Sequence, residues 1–295
     1  MVGVPSGDAR LSRPLAVPDP SRTTPRRRVL VTGGAGLVGR QLIASVPDDV
    51  EAHLTWRNAT PPTGATAHRV DLTRRDDVDA LVAMVEPDVV VHTAYSMHDR
   101  GDIVTAAANV AAAAVRSGAG LVHLSTDVVF DGTRPPYVEA DPISPVNEYG
   151  RWKAVAEVEV RHAMEDACIT RTSLVISLDP PDAGTRQLAD AVAAGRRPTL
   201  FGDEIRCPIR VVDLASALWA LVDMDRSERA GVWHLPGPES LTRLELGRRV
   251  LAVLGLDPDA PRAVSARDHP DPRPPDLTLR STRGWPGAPP RPVDA

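Results

Sequence analysis

A glycine-rich turn between a strand and a helix constrains the fold of this chain more than any other feature. Val29-Leu30-Val31 is an apolar run typical of a buried strand, and Thr32-Gly33-Gly34-Ala35-Gly36-Leu37-Val38-Gly39 follows it directly. Apolar residues then recur at the spacing of one helix face, at Leu37, Val38, Leu42 and Ile43. A strand, a tight turn and a helix in this order form the first half of a βαβ unit, which predicts a parallel sheet.

The spacing of the glycines also predicts a ligand. Gly33, Gly36 and Gly39 permit a tight turn, close approach of the backbone to a pyrophosphate, and packing of the helix on the sheet. The N-terminus of the helix offers free N–H groups to the anion. We therefore predict a dinucleotide site contacted by Gly33, Gly36, Leu37, Val38 and Gly39. The alternative is a glycine turn with a structural role only.

Strands and helices alternate along much of the chain. Further strand candidates are 52–56, 68–70, 89–92, 121–125 and 169–172, and the helix candidates between them are 76–85, 102–117 and 145–164. The pattern predicts an α/β fold with a Rossmann-type doubly wound parallel sheet. We expect a disordered extension over 1–27, an NAD(P)-binding domain over 28–175, a smaller C-terminal substrate-binding lobe over 176–282 that partly returns to the main sheet, and an irregular tail over 283–295.

Charge and composition exclude several classes of function. With 34 basic and 39 acidic residues the net charge is −5, which argues against a general nucleic-acid or anionic-membrane binder. No apolar stretch is long enough for a membrane span or a signal peptide. Cys168 and Cys207 cannot form a disulfide framework, and the eight histidines form no ligand cluster, so we expect no metal. The sequence thus favours a soluble cytoplasmic protein and leaves the oligomeric state open, a homodimer included.

A tyrosine and the only lysine of the chain share one predicted helix face. Of the 34 basic residues 33 are arginine, and the single lysine, Lys153, follows Tyr149 by four residues, one helical turn. A nearby ammonium favours phenolate, so we expect Lys153 to lower the pKa of Tyr149 and make it a general acid and base. Thr126 ends a predicted strand at the carboxyl edge of the sheet, where its hydroxyl can hydrogen-bond a substrate carbonyl. A threonine that merely caps the strand end is the alternative.

These motifs resemble the extended branch of the short-chain dehydrogenase/reductase superfamily, in which the glycines have the spacing Gly-x2-Gly-x2-Gly. The resemblance implies that Thr126, Tyr149 and Lys153 form a catalytic triad and that Tyr149 and Lys153 also touch the cofactor. It further implies that Asp71-Leu72 contacts the adenine and that Thr93-Ala94-Tyr95 passes beside the riboses. A helix N-cap is the alternative role for Asp71, and both roles are compatible.

The choice between the two nicotinamide cofactors depends on the end of the second strand. An acidic residue there would bind the ribose 2′-hydroxyl, but this sequence has Thr55-Trp56-Arg57-Asn58. Arg57 suits a 2′-phosphate, and Arg40 is a second candidate, although a solvated arginine is the simpler explanation of each. We therefore expect NADPH, with NADH as the alternative.

A longer run narrows the resemblance to the dTDP-4-dehydrorhamnose reductase family. The matching segments are 125–132 (STDVVFDG), 136–139 (PYVE), 145–153, 203–209 and 212–215. The family implies an NADPH-dependent reductase of a nucleotide-activated 4-keto sugar, with Tyr149 as proton donor and with Asp127, Val128, Arg206 and Arg280 lining the substrate site. Val128 stands where the family usually has tyrosine, which leaves the sugar undetermined.

Two other functions remain open. A regulatory subunit could keep the fold and the dinucleotide site without catalysis, although the intact triad argues against it. A nucleotide-sugar dehydratase or epimerase of the same superfamily is the other alternative. The related 4,6-dehydratases pair Asp with Glu after the threonine, whereas here Val128 follows Asp127.

Overall fold

The computed structural model describes residues 26–295, so the extension predicted to be disordered lies almost wholly outside the described residues. Within them the strands are β1 (Arg27–Thr32), β2 (Val50–Trp56), β3 (Thr66–Arg69), β4 (Val89–His92), β5 (Gly120–Thr126), β6 (Cys168–Thr172), β7 (Val175–Ile176), β8 (Thr199–Phe201), β9 (Ile205–Arg206), β10 (Ile209–Arg210), β11 (Gly231–Leu235), β12 (Leu241–Thr242) and β13 (Arg262–Val264). Seven of them form one parallel sheet in the order β11-β6-β5-β4-β1-β2-β3. The predicted doubly wound parallel sheet is thereby confirmed.

Helices cover both faces of this sheet. The described helices are α1 (Leu37–Ala44), α2 (Arg75–Val85), α3 (Ala106–Ser117), α4 (Glu148–Ala163), α5 (Ala183–Ala193), α6 (Val211–Asp223), α7 (Arg226–Arg229) and α8 (Arg243–Val253), and the first four together with α6 pack on the sheet. Alternate residues of β1 point to opposite faces. Val29 and Val31 join a core with α1 and α6, while Leu30 joins a second core with α2, α3 and α4. The all-apolar strands are explained by this two-sided burial.

Two helices begin later than the sequence predicts. The α4 helix starts at Glu148 and not at Pro145, because the Asn147 side chain caps it by accepting from the backbone N–H of Gly150 at 2.8 Å. The segment predicted as helix from Asp102 opens with a π-helical turn over Gly101–Thr105, and α3 begins after it. None of the described helices is both long and apolar enough to cross a membrane.

The C-terminal part of the chain is interwoven with the sheet. The β11 strand pairs with β6 at the sheet edge. The α6 helix also belongs to the main layers, since the indole N–H of Trp219 donates to the carbonyl of Leu42 in α1 at 3.2 Å. What remains of the lobe consists of α5, α8 and three two-stranded sheets. Residues 283–295 contain no helix or strand, yet Val293 is buried.

Candidate active site

One cleft of about 640 Å³ lies at the carboxyl ends of the parallel strands. Its floor is formed by the residues that end β1, β4, β5 and β6 or directly follow them, where open α/β sheets bind ligands. Predicted site residues that line it are Gly33, Gly36, Leu37, Val38, Gly39, Arg57, Leu72, Thr93, Ala94, Tyr95, Thr126, Asp127, Val128, Tyr149, Lys153 and Arg206. The fold thus brings nearly all of the sequence candidates together.

The glycine turn forms a cradle whose walls leave no room for side chains. Gly33 has φ +72°, and a Cβ there would lie 2.7 Å from the Cα of Ala94. A Cβ on Gly39 would lie 2.3 Å from the Gly33 carbonyl oxygen, so β1 and α1 approach each other only because both residues are glycine. Gly36 is exposed and caps α1, which leaves its backbone and the helix N-terminus open to the cleft. This geometry fits a pyrophosphate.

Replacing Gly39 with alanine is expected to lower both stability and dinucleotide affinity. The new methyl group would overlap a backbone oxygen that cannot rotate away, at a cost of about 2 kcal/mol or more in the free energy of unfolding. Thermal unfolding and calorimetric titration with NADPH would measure the two effects. Gly202→Ala is the matched control, because its Cβ would meet only the Ala263 methyl at 3.5 Å. Equal behaviour of the two variants would contradict the cradle.

Two elements bring the predicted triad together. Thr126 is the last residue of β5, and Tyr149 and Lys153 lie in the first turns of α4. Gly150 lets α4 approach closely, since a Cβ there would lie 2.3 Å from the carbonyl oxygen of Val128. The Lys153 side chain is 4% exposed, and its Nζ donates to the carbonyl of Leu124 in β5 at 2.7 Å. The ammonium is therefore anchored to β5, one helical turn after Tyr149 in α4.

The electrostatics of the triad differ from the sequence expectation. Burial raises the pKa of Tyr149 well above its usual range, Tyr95 and Asp127 act in the same direction, and only a hydrogen bond with Thr126 opposes them. The expected lowering of the Tyr149 pKa by Lys153 is therefore wrong for this structure, because desolvation of the phenolate dominates. Burial also lowers the pKa of Lys153 to about 8, with Glu157 opposing the shift.

Asp127 connects the triad to the substrate side of the cleft. It is buried, accepts from the hydroxyl of Ser173 at 2.6 Å, and accepts from the hydroxyl of Thr126 at 3.2 Å. Burial raises its pKa, while Arg206, whose guanidinium lies 4.0 Å away, and the two hydroxyl groups lower it. The hydroxyl of Thr126 is thereby held between the carboxylate and Tyr149.

Three arginines line the far end of the cleft beside the substrate lobe. Arg206 and Arg273 both pair with the buried carboxylate of Glu204. Arg243, the first residue of α8, lines the cleft without an ion pair to any residue between 26 and 295, and burial lowers its pKa. With Asp127 and Glu204 the cluster has three positive and two negative groups, so an anion would complete it.

Several predicted residues lie elsewhere or have other partners. Arg280 is exposed and lies outside the cleft, so the structure lends no support to its predicted place in the substrate site. Asp71 accepts from the backbone N–H and hydroxyl of Thr73, and α2 starts only at Arg75, so Asp71 neither caps the helix nor lines the cleft.

Arg40 donates to the backbone carbonyls of Ala35 and Thr60 and also lies outside the cleft. Arg57 lines the cleft but donates two hydrogen bonds to Asp102, each 2.6 Å long.

The structure also adds cleft residues that the sequence did not indicate: Asp102, Asn147, Ser173, Glu204, Arg243 and Arg273. Of these residues only Asn147 could have been predicted from the sequence, because asparagine is a common helix N-cap and it directly precedes the Tyr-x3-Lys helix. The arginines had none, because the chain contains 33 of them.

The sequence matches the family described as RmlD substrate binding domain over residues 27–283. A dTDP-4-keto-6-deoxy-D-glucose reductase of Streptomyces niveus is 32% identical over 249 residues, which cover 80% of this chain and 82% of that protein. A methionine adenosyltransferase 2 subunit beta of Rattus norvegicus is 29% identical over 253 residues, which cover 79% of this chain and 73% of that protein.

The fold is also shared with solved structures. The crystal structure of a dTDP-4-dehydrorhamnose reductase from Bacillus anthracis str. Ames, in complex with NADP, superposes with a TM-score of 0.75 at 22% identity. The match covers 86% of this chain and 90% of that one. It therefore extends over both the parallel sheet and the C-terminal lobe.

Proposed function

The chain belongs to the dTDP-4-dehydrorhamnose reductase family of the extended short-chain dehydrogenase/reductase superfamily, and from that membership we propose that it is an NADPH-dependent reductase of a nucleotide-activated 4-keto sugar. One observation carries the proposal: a single cleft contains the glycine cradle, the Thr126–Tyr149–Lys153 group and the arginine cluster. These would serve the cofactor, the proton transfer and the substrate, respectively. Residues 28–175 then bind mainly the cofactor and 176–282 mainly the substrate. The two free, buried cysteines suit a reducing compartment such as the cytoplasm.

The cleft residues divide the chemistry between them. Gly33, Gly36 and Gly39 would hold the pyrophosphate of NADPH, which supplies a hydride to the keto carbon when bound. Tyr149 donates its phenolic proton to the carbonyl oxygen as the C=O π bond breaks. Its raised pKa keeps that proton in place at neutral pH, and the alkoxide that hydride addition creates is a stronger base than phenolate.

Lys153 and Thr126 assist this proton transfer. With a pKa of about 8, Lys153 is mainly charged at neutral pH and stabilises the phenolate that Tyr149 becomes. Thr126 orients Tyr149 through their hydrogen bond and polarises the substrate oxygen once its hydroxyl turns from Asp127. A proton from solvent then restores the phenol.

The arginine cluster suits the diphosphate of a nucleotide sugar. Arg206, Arg243 and Arg273 exceed their carboxylate partners by one charge, and guanidinium groups bind phosphate oxygens through paired hydrogen bonds. The named substrate of the Streptomyces niveus relative makes dTDP-4-keto-6-deoxy-D-glucose the first compound to test. Val128 lines the cleft beside Asp127 and adds no hydroxyl to the sugar site.

A substrate panel tests the proposal directly. The protein is incubated with NADPH and dTDP-, UDP- or GDP-linked 4-keto sugars, and loss of the reduced-nicotinamide absorbance is followed. We expect turnover with at least one of them and a product with a hydroxyl group at C4. Absence of turnover across the panel, in protein that binds NADPH, would refute the reductase assignment.

Replacing Arg243 with glutamine is expected to raise KM for the nucleotide sugar by about tenfold or more and to change kcat little. The variant removes a charged contact to the diphosphate and leaves the triad intact. Arg280→Gln removes the same charge outside the cleft and should behave as the parent. Steady-state kinetics of both variants decide the matter; an unchanged KM for Arg243→Gln would remove this residue from the substrate site.

The methionine adenosyltransferase relative favours a second candidate, a regulatory subunit with a reductase fold. That function needs a partner protein and no turnover. Affinity purification from the native cell, combined with the substrate panel, separates the two. A stoichiometric partner together with an inactive parent protein would favour the regulatory role, whereas turnover by the purified chain alone favours the reductase.

A further inference from the structure

The adenosine end of the cleft contains an ion pair that neither the triad nor the substrate cluster uses. The guanidinium of Arg57, just after β2, donates from two nitrogens to the two carboxylate oxygens of Asp102, each at 2.6 Å. Both residues line the cleft. The Asp102 side chain is 11% exposed and that of Arg57 is 43% exposed, so the carboxylate holds the guanidinium from the protein side.

Two further carboxylates act on the Arg57 guanidinium. The carboxylate of Asp71 lies 3.7 Å from the guanidinium, and Asp99 adds to the field that raises the Arg57 pKa, after Asp102 as the main cause. Asp99 also fixes the turn that presents Asp102, since it accepts from the backbone N–H of Gly101 at 2.7 Å. Three carboxylates therefore act on the Arg57 guanidinium, and Asp102 is the one that holds it at two points.

We infer that Asp102 determines cofactor selectivity by competing with the 2′-phosphate of NADPH for Arg57. This inference rests on the proposed dinucleotide site. A 2′-phosphate would have to lie beside these carboxylates, and the guanidinium that would bind it is already held at two points by Asp102. NADH brings no such charge and leaves the Arg57–Asp102 pair undisturbed. Asp102 thus keeps NADH acceptable and limits the preference for NADPH that Arg57 alone would give.

The test measures the dissociation constants of NADPH and NADH by calorimetric titration, without any sugar. In Asp102→Asn, NADPH should bind about tenfold or more tightly relative to NADH, because the freed guanidinium reaches the phosphate. Asp102→Ser serves as a second neutral variant, and Asp102→Glu should keep the ratio near that of the parent. The ratio is unaffected by the fraction of folded protein, since both nucleotides are titrated into one preparation.

Two controls separate this mechanism from a general charge effect. Asp48→Asn removes one exposed carboxylate outside the cleft, just before β2 and so at the opposite end of that strand from Arg57, and it should leave the ratio unchanged. Arg57→Gln should abolish the gain, so that Arg57→Gln and the double variant with Asp102→Asn have equal ratios. An unchanged ratio in both neutral Asp102 variants, in a chain whose parent binds both nucleotides, would overturn the inference and leave the reductase proposal intact. A parent that binds neither nucleotide would overturn both.

Discussion

Tyr149→Phe is expected to lower kcat by about a thousandfold or more while the affinity for NADPH stays within about twofold of the parent value. The variant removes only the phenolic proton, and the ring keeps its place at the start of α4, with Tyr95 6.1 Å away between ring centroids. Single-turnover reduction of the nucleotide sugar and calorimetric titration with NADPH measure the two quantities.

The chain supplies a matched control for this change. Tyr137 is also buried and its hydroxyl donates to Asp131 at 2.6 Å, but it lies outside the cleft. Tyr137→Phe should therefore cost stability, about 1 kcal/mol for the lost hydrogen bond, and leave kcat unchanged. If Tyr149→Phe retained its turnover, the proton would have to come from another group and the proposed mechanism would be wrong.

Lys153→Arg is expected to lower kcat by about a hundredfold or more although it keeps the charge. Nζ is buried and lies 2.7 Å from the carbonyl of Leu124, a space that fits an ammonium and not a planar guanidinium. Lys153→Met, of similar length and without charge, is measured beside it to keep the test independent of packing. Normal turnover by the arginine variant would assign Lys153 a structural role.

The pH profile gives the same substitution a second readout. The ammonium of Lys153 is present below its pKa of about 8 and is lost as the pH rises through that value, so kcat of the parent should fall above about pH 8. A guanidinium stays charged there, so the falling limb of Lys153→Arg should move to higher pH. A limb at the same pH in both proteins would show that another group controls it.

Local patterns were enough to predict the parallel sheet and most of the residues that line its cleft. Each depends on residues close together in sequence: a strand followed by glycines, or tyrosine and lysine one turn apart. The raised pKa of Tyr149 could not be predicted in this way, because it arises from burial by elements distant in the chain. Spacing specifies which groups are neighbours and does not specify how much water reaches them.

The arginines at the substrate end of the cleft could not be predicted from the sequence, for a different reason. Arg243 and Arg273 reach the cleft from the start of α8 and from a loop near the C-terminus, and the lobe strands around them are only two or three residues long. Such strands have too few residues to show a period. In a chain with 33 arginines, composition does not distinguish a guanidinium in the cleft, such as that of Arg243, from a solvated one, such as that of Arg280. The Arg57–Asp102 pair could not be predicted either, because the two residues are 45 positions apart in the chain.

The pairing of β11 with β6 has a consequence for how the protein is made. Thr172 of β6 lies beside Thr126 on one side and Leu235 on the other, so the strand next to the triad is covered only after residue 235 has left the ribosome. Until then β6 is an open sheet edge with apolar residues such as Ile169, which is a hazard for aggregation in a nascent chain. The β6 strand therefore cannot be covered by β11 until the C-terminal half has been synthesised, even if the N-terminal half has already folded.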